Sequence, residues 1–444
     1  MRLGLVVPLL PTAMMRLGLV VLLLPTAASL PTPSAATAAS AGSRVDIVLF
    51  GATGFTGRLA AEWMKERYGR TDLTWALAGR NEAKLESLRA ELGRPDVPII
   101  VADASDATSV EAMVSRASVV ANYAGTPFLT KALPVVEACS RLGVHYVDIT
   151  GETALHRESF ARYDAAARAS GACVVHSCGY DSVPSDLGYL LASDAYRRRF
   201  GTAPKRVRYL SRGFSGGASG GSIYTGLALF GLAPELMDAN ASELVSKVEG
   251  RYPLSPDGVC GPDTRDTVFR PEWDAVAGAW VLPFIMAAAN APVVRKTQAL
   301  LGGDYVPYDE VQAYEGSRVG ALASYATFLG SFAAMLFPPS RYCLKAYVLP
   351  KPGEGPDKAS RDSGFFHSEI YAHGPEGTVS AHVRSGVAGD GGYKATALMS
   401  LEAALGLIHD ASGPGVLTPA TALGYRLVDR LNAAGMRLSV DAEE

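Results

Sequence analysis

Three side chains able to move protons, Glu152, Tyr180 and Asp181, each stand a few residues beyond a short apolar run. Glu152 closes the segment His145-Tyr146-Val147-Asp148-Ile149-Thr150-Gly151-Glu152, while Tyr180 and Asp181 follow Cys173-Val174-Val175-His176. A carboxylic acid or a phenol at such a point can protonate a reacting atom or hydrogen-bond the charge that develops on it. Plainer roles compete. Asp181 or Ser182 can cap a helix that opens near Pro184, and Glu152 can accept from backbone N–H groups. His176 sits within its apolar run and reads as a core histidine. The sequence carries no Ser-His-Asp set, HExxH motif or metal-ligand spacing, and no metal is expected.

A second set of residues suits phosphate binding. Residues 46–50 read as a buried parallel strand, which runs into Gly51-Ala52-Thr53-Gly54-Phe55-Thr56-Gly57 and then a predicted helix over 58–68. Strand, glycine turn and helix together form the context of a dinucleotide fingerprint. Gly51 allows the tight turn, Gly54 lets backbone approach a pyrophosphate, and Gly57 lets helix and strand pack closely. Ala52, Thr53, Phe55 and Thr56 complete the predicted cofactor loop. The next strand, 73–78, ends at Gly79-Arg80. An acid there would hold a ribose 2′-OH, whereas an arginine suits a 2′-phosphate, so NADP(H) is preferred over NAD(H). A solvated helix-start arginine is the plainer alternative. A strand over 99–102 closes on Asp103 near the adenine edge, and one over 118–122 brings Asn122 beside the nicotinamide half.

These residues need a scaffold. Strands over 145–149 and 173–176, with helices over about 130–142 and 156–170, make a doubly wound parallel sheet. Residues 365–372 and 378–383 alternate like strands of a second sheet. The 444 residues are 48% hydrophobic, enough for a sizeable core. With 41 basic against 44 acidic residues the net charge is −3, which argues against a nucleic-acid partner. Five scattered cysteines, at 139, 173, 178, 260 and 343, read as reduced thiols.

Residues 1–13 recur almost unchanged at 15–27, each copy a Met-Arg pair followed by a short apolar run, as in a secretory signal. The run 17–24 is shorter than the ~20 residues that span a bilayer. A Ser/Thr/Ala/Pro stretch follows over 27–43, with no acid before Asp46. Residues 1–43 are expected to be a cleavable targeting segment outside the fold, directing the chain to an organelle or membrane (lipid droplet, mitochondrion or plastid). A misplaced start, with Met1, Met14 and Met15 all admissible, is the plainer alternative.

The segments GATGFTG (51–57), HYVDITGE (145–152) and CGYDSVPSDLG (178–188) together resemble the saccharopine dehydrogenase-like oxidoreductases, a family that includes mycobacterial trans-acting enoyl reductases. FSGGASGGS (214–222), GDGGYKATALMSLEAAL (389–405) and GVLTPATALG (415–424) continue the likeness. The resemblance implies an α/β fold: an NADP-binding Rossmann domain over 44–204, a second α/β domain over 205–390, and C-terminal helices over 391–444 that return to the first. Some family members work in glycolipid synthesis or reside on lipid droplets. Where the family tends to have NCVGPY, this chain has Asn122-Tyr123-Ala124-Gly125-Thr126-Pro127-Phe128, which leaves the substrate open.

Two runs, 275–294 and 319–340, carry no charge. Buried helices and a membrane or lipid-droplet contact both suit them, with Phe328 and Phe332 as outward-facing positions in the second case. Two readings follow: an NADPH-dependent reductase of a lipid-like C=C or C=N bond, or an NADP-binding scaffold or redox sensor without turnover. A homodimer is left open.

Overall fold

Apolar runs separated by amphipathic segments build the first sheet. The computed structural model describes residues 43–125, 128–217, 220, 223, 239–256, 260–262, 264–302, 305–351 and 354–441. The expected targeting segment, 1–43, lies outside them except for Ser43. Strands β1 (Val45–Phe50), β2 (Trp75–Gly79), β3 (Ile99–Val101), β4 (Ala117–Asn122), β5 (His145–Asp148) and β6 (Cys173–Val175) run parallel in the order β3-β2-β1-β4-β5-β6. The order reverses between β1 and β4, and a crevice opens there beyond the strand carboxyl ends.

Helices α1 (Phe55–Trp63), α2 (Glu82–Leu92), α3 (Ala107–Val114), α4 (Phe128–Leu142), α5 (Thr153–Ser170) and α6 (Val183–Phe200) connect or follow these strands. Their starts differ in a way that matters. Asn81 caps α2 by accepting from the Lys84 N–H, and Asp106 caps α3 by accepting from Thr108. Helix α1 begins at Gly54 with no side-chain cap, so its first-turn amides have no intrahelical acceptor. It also starts three residues before the sequence expectation and gives way to a π turn over Met64–Tyr68.

The second sheet is mixed. Its strands β7 (Arg206–Ser215), β8 (Glu272–Asp274), β9 (Ala279–Pro283), β10 (Tyr308–Tyr314), β11 (Phe365–Gly374), β12 (Gly377–Arg384) and β14 (Arg437–Val440) take the order β14-β12-β11-β7-β10-β9-β8. Only β7 and β10 pair in parallel. Helix α6 lies across β11 closely enough that a Cβ on Gly188 would stand 2.4 Å from the Ile370 side chain. The short helix α7 (Ala239–Ser246) precedes α8 (Ala287–Leu301), which packs beside α6 and β10.

Helices α9 (Arg318–Leu336), α10 (Pro338–Tyr347) and α11 (Lys358–Ser363) follow β10. The C-terminal segment then returns. In α12 (Thr396–Asp410) every residue from Thr396 to Leu407 is buried, and each Leu or Met so removed from water contributes about 1.5–3 kcal/mol. Strand β13 (Gly415–Leu417) adds to the first sheet beside β6. After α13 (Pro419–Ala422) and α14 (Tyr425–Ala433), however, β14 joins the second sheet beside β12. The segment after 391 therefore ties both sheets together, not the first alone. One apolar core runs from Ile47 and Val119 through Leu187 to Tyr209 and Ile370, and residues 43–444 form one unit.

The two charge-free runs part company. The first holds β9 and the start of α8, with Val281, Ala287, Ala291 and Val294 fully or almost fully buried. It is core, and the expectation of a membrane contact fails there because a five-residue strand and a packed helix use up its apolar surface. The second is α9 with the start of α10, of which only Ala321 is buried. Phe332 does not face outward; it lines the cavity described below.

Candidate functional site

At the carboxyl edge of the first sheet lies a cavity of roughly 1370 Å3, above the ~300–1,000 Å3 that holds one drug-sized ligand. One end is the glycine loop. Gly51 has φ +82, and a Cβ on it would stand 2.5 Å from the Ala124 amide nitrogen, so only glycine fits. A Cβ on Gly57 would stand 2.3 Å from the Gly51 carbonyl oxygen, which is the close helix–strand packing expected of it. At Gly54 the nearest atom to such a Cβ is 3.2 Å away, and Gly54 itself is exposed on the cavity wall. Thr53, Phe55 and Thr56 line the wall with it. Phe55 is held edge-on against Tyr393 at 5.0 Å, under the Arg361 guanidinium.

Ala52 is different. It is buried, donates to the Ala78 carbonyl and does not line the cavity. Asn122 is also buried and off the wall: its amide donates to the Tyr146 hydroxyl, and its carbonyl accepts from the Ala124 N–H. Both expected cofactor contacts are corrected to roles in shaping the loops, because their polar groups are already occupied by protein. Gly57 likewise acts through packing.

Arg80 follows β2 on the cavity rim, exposed, with no hydrogen bond or ion pair among the described residues. Asp103 stands nearby. The Ser105 N–H and hydroxyl hold its carboxyl below the usual carboxylate range, and the charges of Arg80 and Lys131 add to this. Lys131 lines the same wall. The residues present fit a phosphorylated dinucleotide: a glycine cradle that a Cβ would fill, uncapped amides at the start of α1, and a guanidinium with no protein partner.

The other half of the cavity holds the acids. Glu152 is buried, and its two oxygens accept from the N–H groups of Phe128 (2.8 Å) and Leu129 (2.9 Å) at the start of α4. Burial pushes its carboxyl up to about 7 against the pull of those two amides. Both oxygens hold the start of α4, so Glu152 positions that helix at the cavity wall, which it also lines.

Tyr180 packs its ring on Phe214 (5.3 Å) and Phe366 (4.9 Å), and its N–H donates to Thr396 Oγ1. Burial raises its phenol, whose hydroxyl faces Tyr209 and Ser211. No hydrogen bond joins it to Asp181 among the described residues, although the two are neighbours in sequence. Neither Asp181 nor Ser182 caps α6 through its side chain.

Asp181 is left with no hydrogen bond or ion pair among the described residues. Its carboxyl opens on the cavity, and Oδ2 would lie 3.0 Å from a Cβ built on Gly151. Burial alone pushes it up to about 6. Around it the wall is apolar: Phe284, Ile285, Met286 and Ala289 from the β9–α8 turn, and Phe332 and Met335 from α9.

Sequence reasoning missed this wall, although 284–289 falls in the charge-free run 275–294. It also missed Lys131, for which no motif stood out, and Tyr393, which lies in the quoted segment 389–405 but was given no role there.

His176, buried as expected, is only half satisfied. Nδ1 pairs with Asp148 at 2.7 Å, and Nε2 has no hydrogen-bond partner among the described residues.

Residues 47–175 match the family model described as the saccharopine dehydrogenase NADP binding domain. A Mycobacterium tuberculosis protein provisionally named a trans-acting enoyl reductase is 37% identical over 417 residues, covering 88% of this chain and 96% of its own length. The chain belongs to the saccharopine dehydrogenase-like oxidoreductases. A trans-acting enoyl reductase of Mycobacterium ulcerans is 33% identical over 428 residues, covering 90% of this chain and 98% of that protein. A solved apo saccharopine dehydrogenase (L-Glu forming) from Saccharomyces cerevisiae aligns with a TM-score of 0.49 at 12% identity, covering 90% of this chain and all of that one. As a saccharopine dehydrogenase-like protein the chain is an NAD(P)-dependent oxidoreductase, and its first sheet is the NADP-binding part.

Proposed function

We propose that this protein is an NADPH-dependent reductase of an activated C=C or C=N bond in a lipid-like substrate, with Asp181 as the proton source. The observation that carries the reading is a carboxyl with no hydrogen bond or ion pair among the described residues, opening on an apolar chamber continuous with the glycine loop. NADPH, when bound, supplies the hydride. The chain's residues supply the rest. Gly51, Gly54 and the amides opening α1 would hold the pyrophosphate, and Arg80 would pair with the 2′-phosphate, which would favour NADPH over NADH. Phe284, Met286, Phe332 and Met335 exclude water and bind an alkyl chain.

For an enoyl substrate, the chain's own contribution would be a proton at the α-carbon, beside the β-carbon that would accept the cofactor's hydride. The α-carbon then takes the proton of the Asp181 carboxylic acid, leaving a carboxylate that water reprotonates. For an imine the same proton goes to nitrogen. With its carboxyl at about 6, roughly one molecule in ten carries this proton at pH 7, a workable fraction for a general acid. The names of the enoyl reductase relatives support the C=C case.

The test is optical. Purified protein with NADPH is offered enoyl thioesters, ketones and imines of increasing chain length, and loss of NADPH absorbance is followed. Turnover that rises with chain length supports the reading, and NADPH loss only with short polar ketones or imines refutes it.

A further inference from the structure

We infer that α9 and α10 form an interfacial anchor that lies on an anionic phospholipid surface. Helix α9 has 19 residues, of which only Ala321 is buried, and α10 has no buried residue. Many of their apolar side chains are left exposed among the described residues. Val319 is 76% exposed, Tyr342 71% and Tyr347 83%, and Phe269, whose carbonyl accepts from the Tyr325 hydroxyl, adds to the same surface. An apolar surface of this kind on a folded chain marks an interaction site.

Charge selects the occupant. From Arg318 to Lys351 the chain carries Arg318, Arg341, Lys345 and Lys351 and no acid, although the whole protein has a net charge of −3. Apolar and aromatic residues among basic ones suit a layer whose outer surface is anionic and whose interior is hydrocarbon. The bend between the helices suits lying in the interface rather than crossing it. Pro338 and Pro339 open α10 directly after Phe337, and the Arg341 guanidinium donates to the last carbonyls of α9, those of Met335 and Leu336. The side of α9 turned away from this surface lines the cavity through Phe332 and Met335. One helix would thus touch lipid on one side and the proposed reaction chamber on the other. The inference goes beyond the reductase reading, and its test needs no turnover.

Full-length protein is floated with vesicles of phosphatidylcholine containing phosphatidylserine, and with vesicles of phosphatidylcholine alone, while NADPH affinity is measured in parallel. Flotation is expected with the phosphatidylserine vesicles and is expected to weaken with added salt. Val319→Asp, Tyr342→Asp and Tyr347→Asp combined should lower partitioning at least about tenfold. Arg318→Glu and Lys351→Glu should each lower it about fivefold or more. NADPH affinity should not change in either set. Three results would overturn the inference: no flotation with either vesicle, variants that float as well as the parent (which would assign binding to the apolar residues before 43), or a dimer in solution that shields 319–347 from protease.

Discussion

Replacing Asp181 with Asn separates the cost of this carboxyl from its use. The side chain keeps its shape but loses the proton and the charge. Burial raises the folded-state carboxyl from the ordinary 3.8 to about 6, about two pH units, or on the order of 3 kcal/mol. The sign follows from linkage. Below about pH 3 the acid is neutral in both states and carries almost no penalty. As pH rises toward 6 the unfolded chain ionises first, so folding is progressively disfavoured, and above about 6 the full penalty is in place. Asp181→Asn should therefore be more stable than the parent at pH 8, by up to about 3 kcal/mol, with the gain vanishing below about pH 3. Denaturant unfolding at a series of pH values reads this directly. Turnover should move the other way. The parent rate should fall above pH 6 as the acid form is lost, and the variant should lose about 10²–10⁴-fold in kcat along with that pH dependence, at unchanged NADPH affinity. A variant whose stability tracks the parent at every pH, and whose rate keeps the same profile, would refute both halves of the reasoning.

Other outcomes follow from single contacts. Arg80→Asp should weaken NADPH about ten- to hundredfold while improving NADH, since a carboxylate repels the 2′-phosphate and accepts from a 2′-OH; fluorescence titration with both cofactors measures it. Gly57→Ala places a Cβ 2.3 Å from the Gly51 carbonyl oxygen, and backbone cannot yield there, so thermal melts should show a loss of about 1–3 kcal/mol together with weaker NADPH binding. Glu152→Gln turns one of two acceptors toward an N–H that needs one, and should cost about 1–3 kcal/mol, read by denaturant unfolding. Gly151→Ala crowds Asp181 Oδ2 at 3.0 Å; kcat should fall in steady-state assays while the NADPH dissociation constant holds.

The parallel sheet was legible because its strands are short apolar runs ended by glycines or acids, and because the Gly51-to-Gly57 spacing sits between a strand and a helix. Arg80 was legible from the absence of an acid at the end of β2. What local sequence could not show were contacts made across the chain. Glu152 looks reactive until α4, 24 residues earlier, turns the Phe128 and Leu129 amides onto it. Asn122 looks like a loop ligand until Tyr146 takes its amide. Asp181 looks like a helix cap, and only its lack of a hydrogen bond or ion pair among the described residues marks it out. The runs 275–294 and 319–340 have the same charge-free composition, yet one packs into the core and the other stays outside. Composition alone does not say which apolar surface finds a protein partner.

Single-turnover reduction tests the central claim most directly. Enzyme is mixed with one equivalent of NADPH and an excess of a long-chain enoyl thioester; nicotinamide absorbance is followed, and the product is checked by mass. The parent should oxidise the bound NADPH and yield one equivalent of thioester two hydrogens heavier, whereas Asp181→Asn should hold NADPH as tightly and leave it largely unreacted. Tight NADPH binding by the parent with no oxidation by any enoyl, carbonyl or imine compound would contradict the reductase reading and leave a nucleotide-binding scaffold in its place.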